Sequence, residues 1–254
     1  MIKFFRKTRQ KLLAEKKVGR YLAYALGEIV LVVIGILIAL AINNKNQKNI
    51  EEKIEQTYLL GLKDEFLTSR SKLTELMTIN EQNIEGAKKL LALTNLKDSL
   101  PTEQEFSKLL FQTFVSDIAF NPNNSLLNEI INSGNLKNIK NSDLRIMLTN
   151  WFATLEDISR QEKDLLLQRE NLLDMFRTNQ YSLETVFKDA GIYAEMDLAK
   201  GEETKSNLGL LSSIEFENKL LMFIVTSHAT GDTHYKPLMT YLDNILKTIS
   251  KELD

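Results

Sequence analysis

From Tyr21 to Ile42 the chain reads YLAYALGEIVLVVIGILIALAI, an apolar run interrupted by one acid, Glu28. As a helix, those 22 residues reach roughly 33 Å, enough to cross the hydrocarbon core of a bilayer. A buried core helix accounts for neither the length nor the one-sided basic flank that precedes it. A cleaved signal peptide is the sharper rival, because Ala39-Leu40-Ala41 has the A-x-A form, but the run exceeds the usual apolar region and no polar segment precedes the cut. A retained membrane anchor is the expectation.

Beyond Asn43 the pattern changes to helical periodicity. Ile50, Ile54, Tyr58, Leu62 and Phe66 recur every fourth residue, followed by Leu73, Met77, Ile84 and Leu91, with no Pro or Gly breaking the junction at Asn43, Asn44 and Asn46. This predicts one continuous helix ending in the polar stretch 94–101. A second helix is expected from Pro101 to about Ala119. A short one lies between the turn Asn121-Pro122 and the stop Ser133-Gly134. Asn141 or Ser142 caps a long helix through Trp151 and Phe176 that continues, with a break near Asn179, to Lys188. The run 197–207 looks exposed, and Ser212 with Glu215 resembles a capping box opening the last helix, which bends at Gly231 or Pro237. Long helices with modest connections predict an all-α protein. In it one N-terminal transmembrane helix continues into an antiparallel bundle of long helices. The segments 170–176 and 217–223 share a loose similarity that chance among leucine-rich helices explains.

Charge sharpens the division. The formal net charge of −2 conceals a tail, residues 1–20, with eight basic side chains (Lys3, Arg6, Lys7, Arg9, Lys11, Lys16, Lys17, Arg20) and one acid, Glu15. Residues 43–254 hold the opposite excess, 24 bases against 32 acids. Positive flanks stay in the cytoplasm, so three parts are expected: a basic cytoplasmic tail (1–20), a transmembrane helix (21–42) and an extracytoplasmic bundle (43–254). Ile2, Phe5, Leu12 and Leu13 among the cations also suit attraction to anionic lipid. Topology accounts fully for the basic cluster, and no nucleic-acid-binding motif supports that other partner.

Within the run, Ala23, Gly27, Gly35 and Ala39 recur at multiples of four and share a helix face, the spacing that lets membrane helices approach closely. Glu28 neighbours this stripe. It either snorkels toward the inner headgroups beside Arg20 or makes an interhelical hydrogen bond in an oligomer or with another envelope protein.

The strings FFRKTRQKLL and YLAYALGEIVLVVIGILIALAINN, with IINSGNLKNIKNSDLRIMLTNWF and SSIEFENKLL later, resemble a family of single-span, periplasm-facing membrane proteins of unknown function common in Bacteroidota. The chain departs from that pattern at Ala41, where a polar residue is commoner, and at Lys45, where Trp follows the paired Asn. The resemblance implies an inner-membrane protein whose larger part faces the periplasm, and it supplies no activity or catalytic residue.

The chain has no Cys, which excludes disulfides, thiolate metal sites and a cysteine nucleophile, so a part facing an oxidising compartment must be held by helix packing alone. His228, Asp232 and His234 are the best candidates for ligation, the first two at i and i+4. Two imidazoles without a further ligand make a metal site the weaker reading. There is no G-x-S-x-G, H-E-x-x-H, phosphate loop or EF-hand pattern. The expectation is therefore a non-enzymatic interaction or scaffold module without a cofactor. The alternative is a tethered enzyme whose groups converge from distant positions.

Overall fold

The computed structural model describes residues 18–96, 100–199 and 205–253. Among these the chain is all-α, with no strand, and separates into two compact units, Met1–Thr57 and Tyr58–Asp254. Helix α1 (Val18–Thr94) runs unbroken through the Asn-rich stretch at 43–46, as its lack of Pro and Gly there requires. Ile50 and Ile54, expected in the core face, are instead exposed at 44% and 38%, since no second described element of their own unit covers them.

In the second unit α1 buries Leu59, Leu62, Phe66, Ser69, Leu73, Leu76, Asn80, Asn83, Ala87 and Leu90. The spacing alternates three and four, a period of 3.5 residues, which holds one stripe against neighbouring helices. The expected run of fours drifts around the helix by about 40° per step. For this reason Tyr58, Met77 and Leu91 only flank the core and Leu59, Leu76 and Leu90 fill it.

The helices packed on this stripe are α2 (Glu103–Phe114), α3 (Ser125–Asn132), α4 (Ser142–Leu173), α7 (Ile214–Ala229) and α8 (Lys236–Leu253). The short α5 (Leu183–Asp189) and α6 (Ile192–Glu195) follow α4. Antiparallel packing shows in the pairings. Arg70 meets Asp243 while Asn80 meets the Ser227 carbonyl, and along α4 Asn141, Met147 and Gln161 meet Glu252, Tyr241 and Thr230.

Local chemistry sets most helix ends. Thr102, one residue after Pro101, caps α2 reciprocally: its Oγ accepts from the Glu105 amide at 3.3 Å and Glu105 Oε2 accepts from the Thr102 amide at 2.9 Å. Asn141 Oδ1 accepts from the Leu144 amide at the start of α4. The last long helix opens at Ser213, whose Oγ accepts from Phe216 N. The expected cap, Ser212, closes a 3₁₀ turn that buries Leu210 and Leu211. Gly134, at φ 71°, takes the left-handed conformation that ends α3.

Three ends depend on distant groups. Asn124 precedes α3 without capping it, because its Oδ1 accepts from Trp151 Nε1 at 2.8 Å. Glu65 of α1 supplies the missing acceptor, taking the amides of Leu126 and Leu127 at 2.8 and 3.1 Å. Helix α2 stops at Phe114, short of the expected Ala119, where Arg169 of α4 donates to the Phe114 carbonyl at 2.8 Å. Asn207, in the run expected to be exposed, is fully buried and clasps both the amide and the carbonyl of Ser182.

One close approach needs a glycine. A Cβ at Gly86 would lie 2.2 Å from Thr113 Oγ1 of α2, a hydroxyl tied to the Leu109 carbonyl at 2.7 Å and unable to swing away. Gly86→Ala is therefore expected to lower stability by about 1–3 kcal/mol despite alanine's better helix propensity. A urea midpoint equal to or above the parent's would contradict this.

Candidate functional site

The apolar stretch of α1 is long and apolar enough to cross a membrane, and its most apolar window is wholly unburied. Leu31 is 69% exposed and Ile42 65%. Ala23, Gly27, Gly35 and Ala39 are exposed on this stretch, and a Cβ at Gly27 or Gly35 meets nothing within 4 Å. Glu28 is half-buried in a shallow cleft with Ala25, Ile29, Val32 and Val33. Arg20 belongs to the backbone of α1, and Lys3, Arg6, Lys7, Arg9, Lys11, Lys16 and Lys17 lie outside the described residues.

A second concentration of polar groups sits where α7 gives way to α8. Residues Thr230–Tyr235 form a π-helical turn, in which the Lys236 amide bonds the Gly231 carbonyl five residues back. Such insertions recur at functional sites. Here the turn and α1 line a polar cavity of about 290 Å³, with His228, Asp232 and Lys236 facing Asn80, Glu81 and Glu85. Asp232 is the hub: Lys236 Nζ donates to it at 2.6 Å and His228 Nε2 lies 3.3 Å away, the helical pairing expected for these two residues. The Lys236 ammonium holds the Asp232 carboxyl below its ordinary range, and His228 adds to that pull. His234 is half-buried. Among the described residues no three His, Cys, Asp or Glu side chains converge as a metal site.

A buried polar pair lies beneath this turn that no sequence pattern marks. Glu162 of α4, 8% exposed, accepts from Tyr235 Oη at 2.6 Å and from the Phe120 amide at 2.9 Å, both on Oε1. Burial raises the Glu162 carboxyl above its usual value of 4.5, the two hydrogen bonds oppose the rise and nearby Asp117 adds to it. Burial and the facing carboxylate push the Tyr235 phenol upward. Because its folded pKa is raised, Glu162 contributes stability that is fully present below the ordinary carboxyl value and lost as pH rises through the raised one. Glutamine can accept both bonds on its amide oxygen without the buried charge. Glu162→Gln should therefore gain on the parent as pH rises from about 4 to 8, and parallel melting profiles would refute that origin.

Residues 28–187 match a protein family described as a family of unknown function, DUF6090. The chain belongs to this family. The DUF6090 match begins at Glu28 inside the apolar stretch, takes in the segment 130–152 on which the resemblance partly rested, and ends at Phe187 within α5. The segment 212–221, also counted in the resemblance, lies beyond it, as do α7, the π turn and α8. No curated protein and no solved structure matches the chain.

The DUF6090 match thus includes Glu162 and excludes its partner Tyr235. No residue spacing could have found this pair, because the two side chains stand 73 positions apart and meet only once the π turn has set the direction of Tyr235.

Proposed function

We propose that the protein is a membrane-anchored helical interaction module of the cell envelope, acting as a scaffold or as an accessory to a sensor. The observation that carries this is the concentration of exposed large apolar side chains between Leu22 and Ile42 on α1. Water tolerates no apolar patch of that extent on a monomer, whereas a bilayer requires it. The charge excesses of opposite sign on either side of the stretch support an orientation with residues 1–20 in the cytoplasm and residues 43–254 in the periplasm. The resemblance to single-span proteins of Bacteroidota supports the inner membrane of a Gram-negative cell. Helical drift of about 40° per four residues divides Ala23, Gly27, Gly35 and Ala39 into two close-spaced pairs instead of one face. These pairs, with Glu28 beside the first, support self-association or contact with another envelope protein.

The absence of cysteine makes the topology directly testable. In spheroplasts, a membrane-impermeant maleimide is expected to label Lys247→Cys and to spare Thr8→Cys until the membrane is opened. The reverse pattern, or equal labelling of both, overturns the orientation. Replacing Gly27 and Gly35 by Ile tests the two small-residue pairs separately from the topology, since an unchanged oligomer size would remove them from the proposal.

A further inference from the structure

Helix α2, the C-terminal end of α4, the 3₁₀ turn Asp174–Arg177 and α5 line a half-open apolar cavity of about 240 Å³ in the second unit. A concave apolar site with a few charged groups at its edge is the usual form of a small-ligand pocket. Phe111, Phe114, Phe176 and Phe187 supply most of its aromatic wall. Ring contacts brace these side chains: Phe111 against Phe187 at 6.1 Å, Phe114 against Phe223 at 5.2 Å and Phe176 against Tyr181 at 6.3 Å. Phe114 and Phe176 are thus backed by rings outside the lining, and Phe111 and Phe187 brace each other.

Arg169 and Arg177 are the charged residues of the lining, and no acid joins them there. Arg169 donates to the carbonyls of Phe114 at 2.8 Å and Val115 at 3.4 Å, and to Glu170 at 3.3 Å. Arg177 donates to Glu170 at 2.7 Å and Asp174 at 2.5 Å. Each guanidinium carries five N–H donors, so both retain donors beyond these contacts with which to bind a carboxylate. Scaling from a cavity of about 150 Å³ that admits benzene, the space holds roughly ten heavy atoms, enough for the alkyl chain of decanoate with its carboxylate left at the open side.

We propose that this cavity binds a medium-chain carboxylate, its chain among the phenylalanines and its head on the guanidinium groups. The site lies within the helical unit and does not depend on the membrane orientation argued above.

The test titrates decanoate calorimetrically into the full chain in lipid nanodiscs, with empty discs as the blank for partitioning. One saturable site per chain is expected. Leu183→Trp, which fills the cavity, should abolish it. Val115→Trp, at a lining position that is half exposed, should weaken it at least tenfold with an unchanged melting temperature, so misfolding does not obscure the result. Arg177→Gln should weaken decanoate tenfold and leave decanol unchanged, because its exposed ion pairs contribute little to folding. Heats equal to those of empty discs, or binding indifferent to both tryptophans, would overturn the site. Decyltrimethylammonium binding as tightly as decanoate, or an inert Arg177→Gln, would overturn the carboxylate.

Discussion

Arginine at both Val33 and Ile36 is expected to move the chain out of the carbonate-resistant membrane fraction. Both positions lie midway along the apolar stretch of α1, and both are exposed. Each charge costs about 2.5–3.5 kcal/mol at the centre of a membrane helix, against the ~0.3–0.6 kcal/mol that each Leu, Ile, Phe or Val contributes. Two arginines therefore cancel most of the insertion energy of the stretch. On a helix surrounded by water the same changes would be harmless, since exposed arginine is a good helix former. The pair Ile50→Arg and Ile54→Arg, exposed on the same helix outside the stretch, supplies the control and should remain in the pellet. Immunoblotting after carbonate extraction distinguishes the cases, and retention of the Val33/Ile36 variant would remove the anchor from the proposal.

Trp151→Ala should produce the largest loss of stability in the helical unit. The side chain is fully buried. Its ring packs edge-on to Phe66 at 5.2 Å and Phe120 at 6.5 Å and stacks on Tyr241 at 6.4 Å, so it joins α1, the segment after α2, and α8. Truncation of such a residue costs about 3–5 kcal/mol, which for a domain of this size lowers the melting temperature by roughly 10 °C. It also strands Asn124 Oδ1, the acceptor of the indole N–H. Trp151→Phe keeps much of the packing and isolates the hydrogen bond, for about 1–2 kcal/mol. A calorimetric scan in which the alanine variant melts with the parent would contradict this account of the core.

The helices and the apolar run of α1 were legible because both are repeating local patterns. The end of α1 at Thr94, the stop of α3 at Gly134 and the Asn141 cap all follow from residues within a few positions of one another. What escaped the sequence was decided at long range. Helix α2 stops early because Arg169 takes its terminal carbonyl from α4, and α3 starts under Glu65 of α1 while its own Asn124 serves Trp151. Asn207 reads as a polar loop residue until Ser182 is placed beside it. The same holds for the candidate sites. The exposed stretch and the His228–Asp232 pairing are spacings, whereas the phenylalanine cavity and the Glu162–Tyr235 bond need elements far apart in the chain.

The π turn at Thr230–Tyr235 also limits how this chain can change length. It holds one more residue than an α-helical turn would, and the wide turn absorbs that surplus so that α7 and α8 keep the phase of one helix. Losing the surplus residue would restore a regular turn and leave α8 in phase, whereas losing a residue just after the turn would rotate the rest of α8 by about 100°. Leu238, Leu242, Ile245 and Ile249, all buried, would then turn away from the core together. Surface loops absorb insertions and deletions readily. The regular part of α8 is instead a length gauge, and the π turn before it is the place on this continuous helix with a residue to spare.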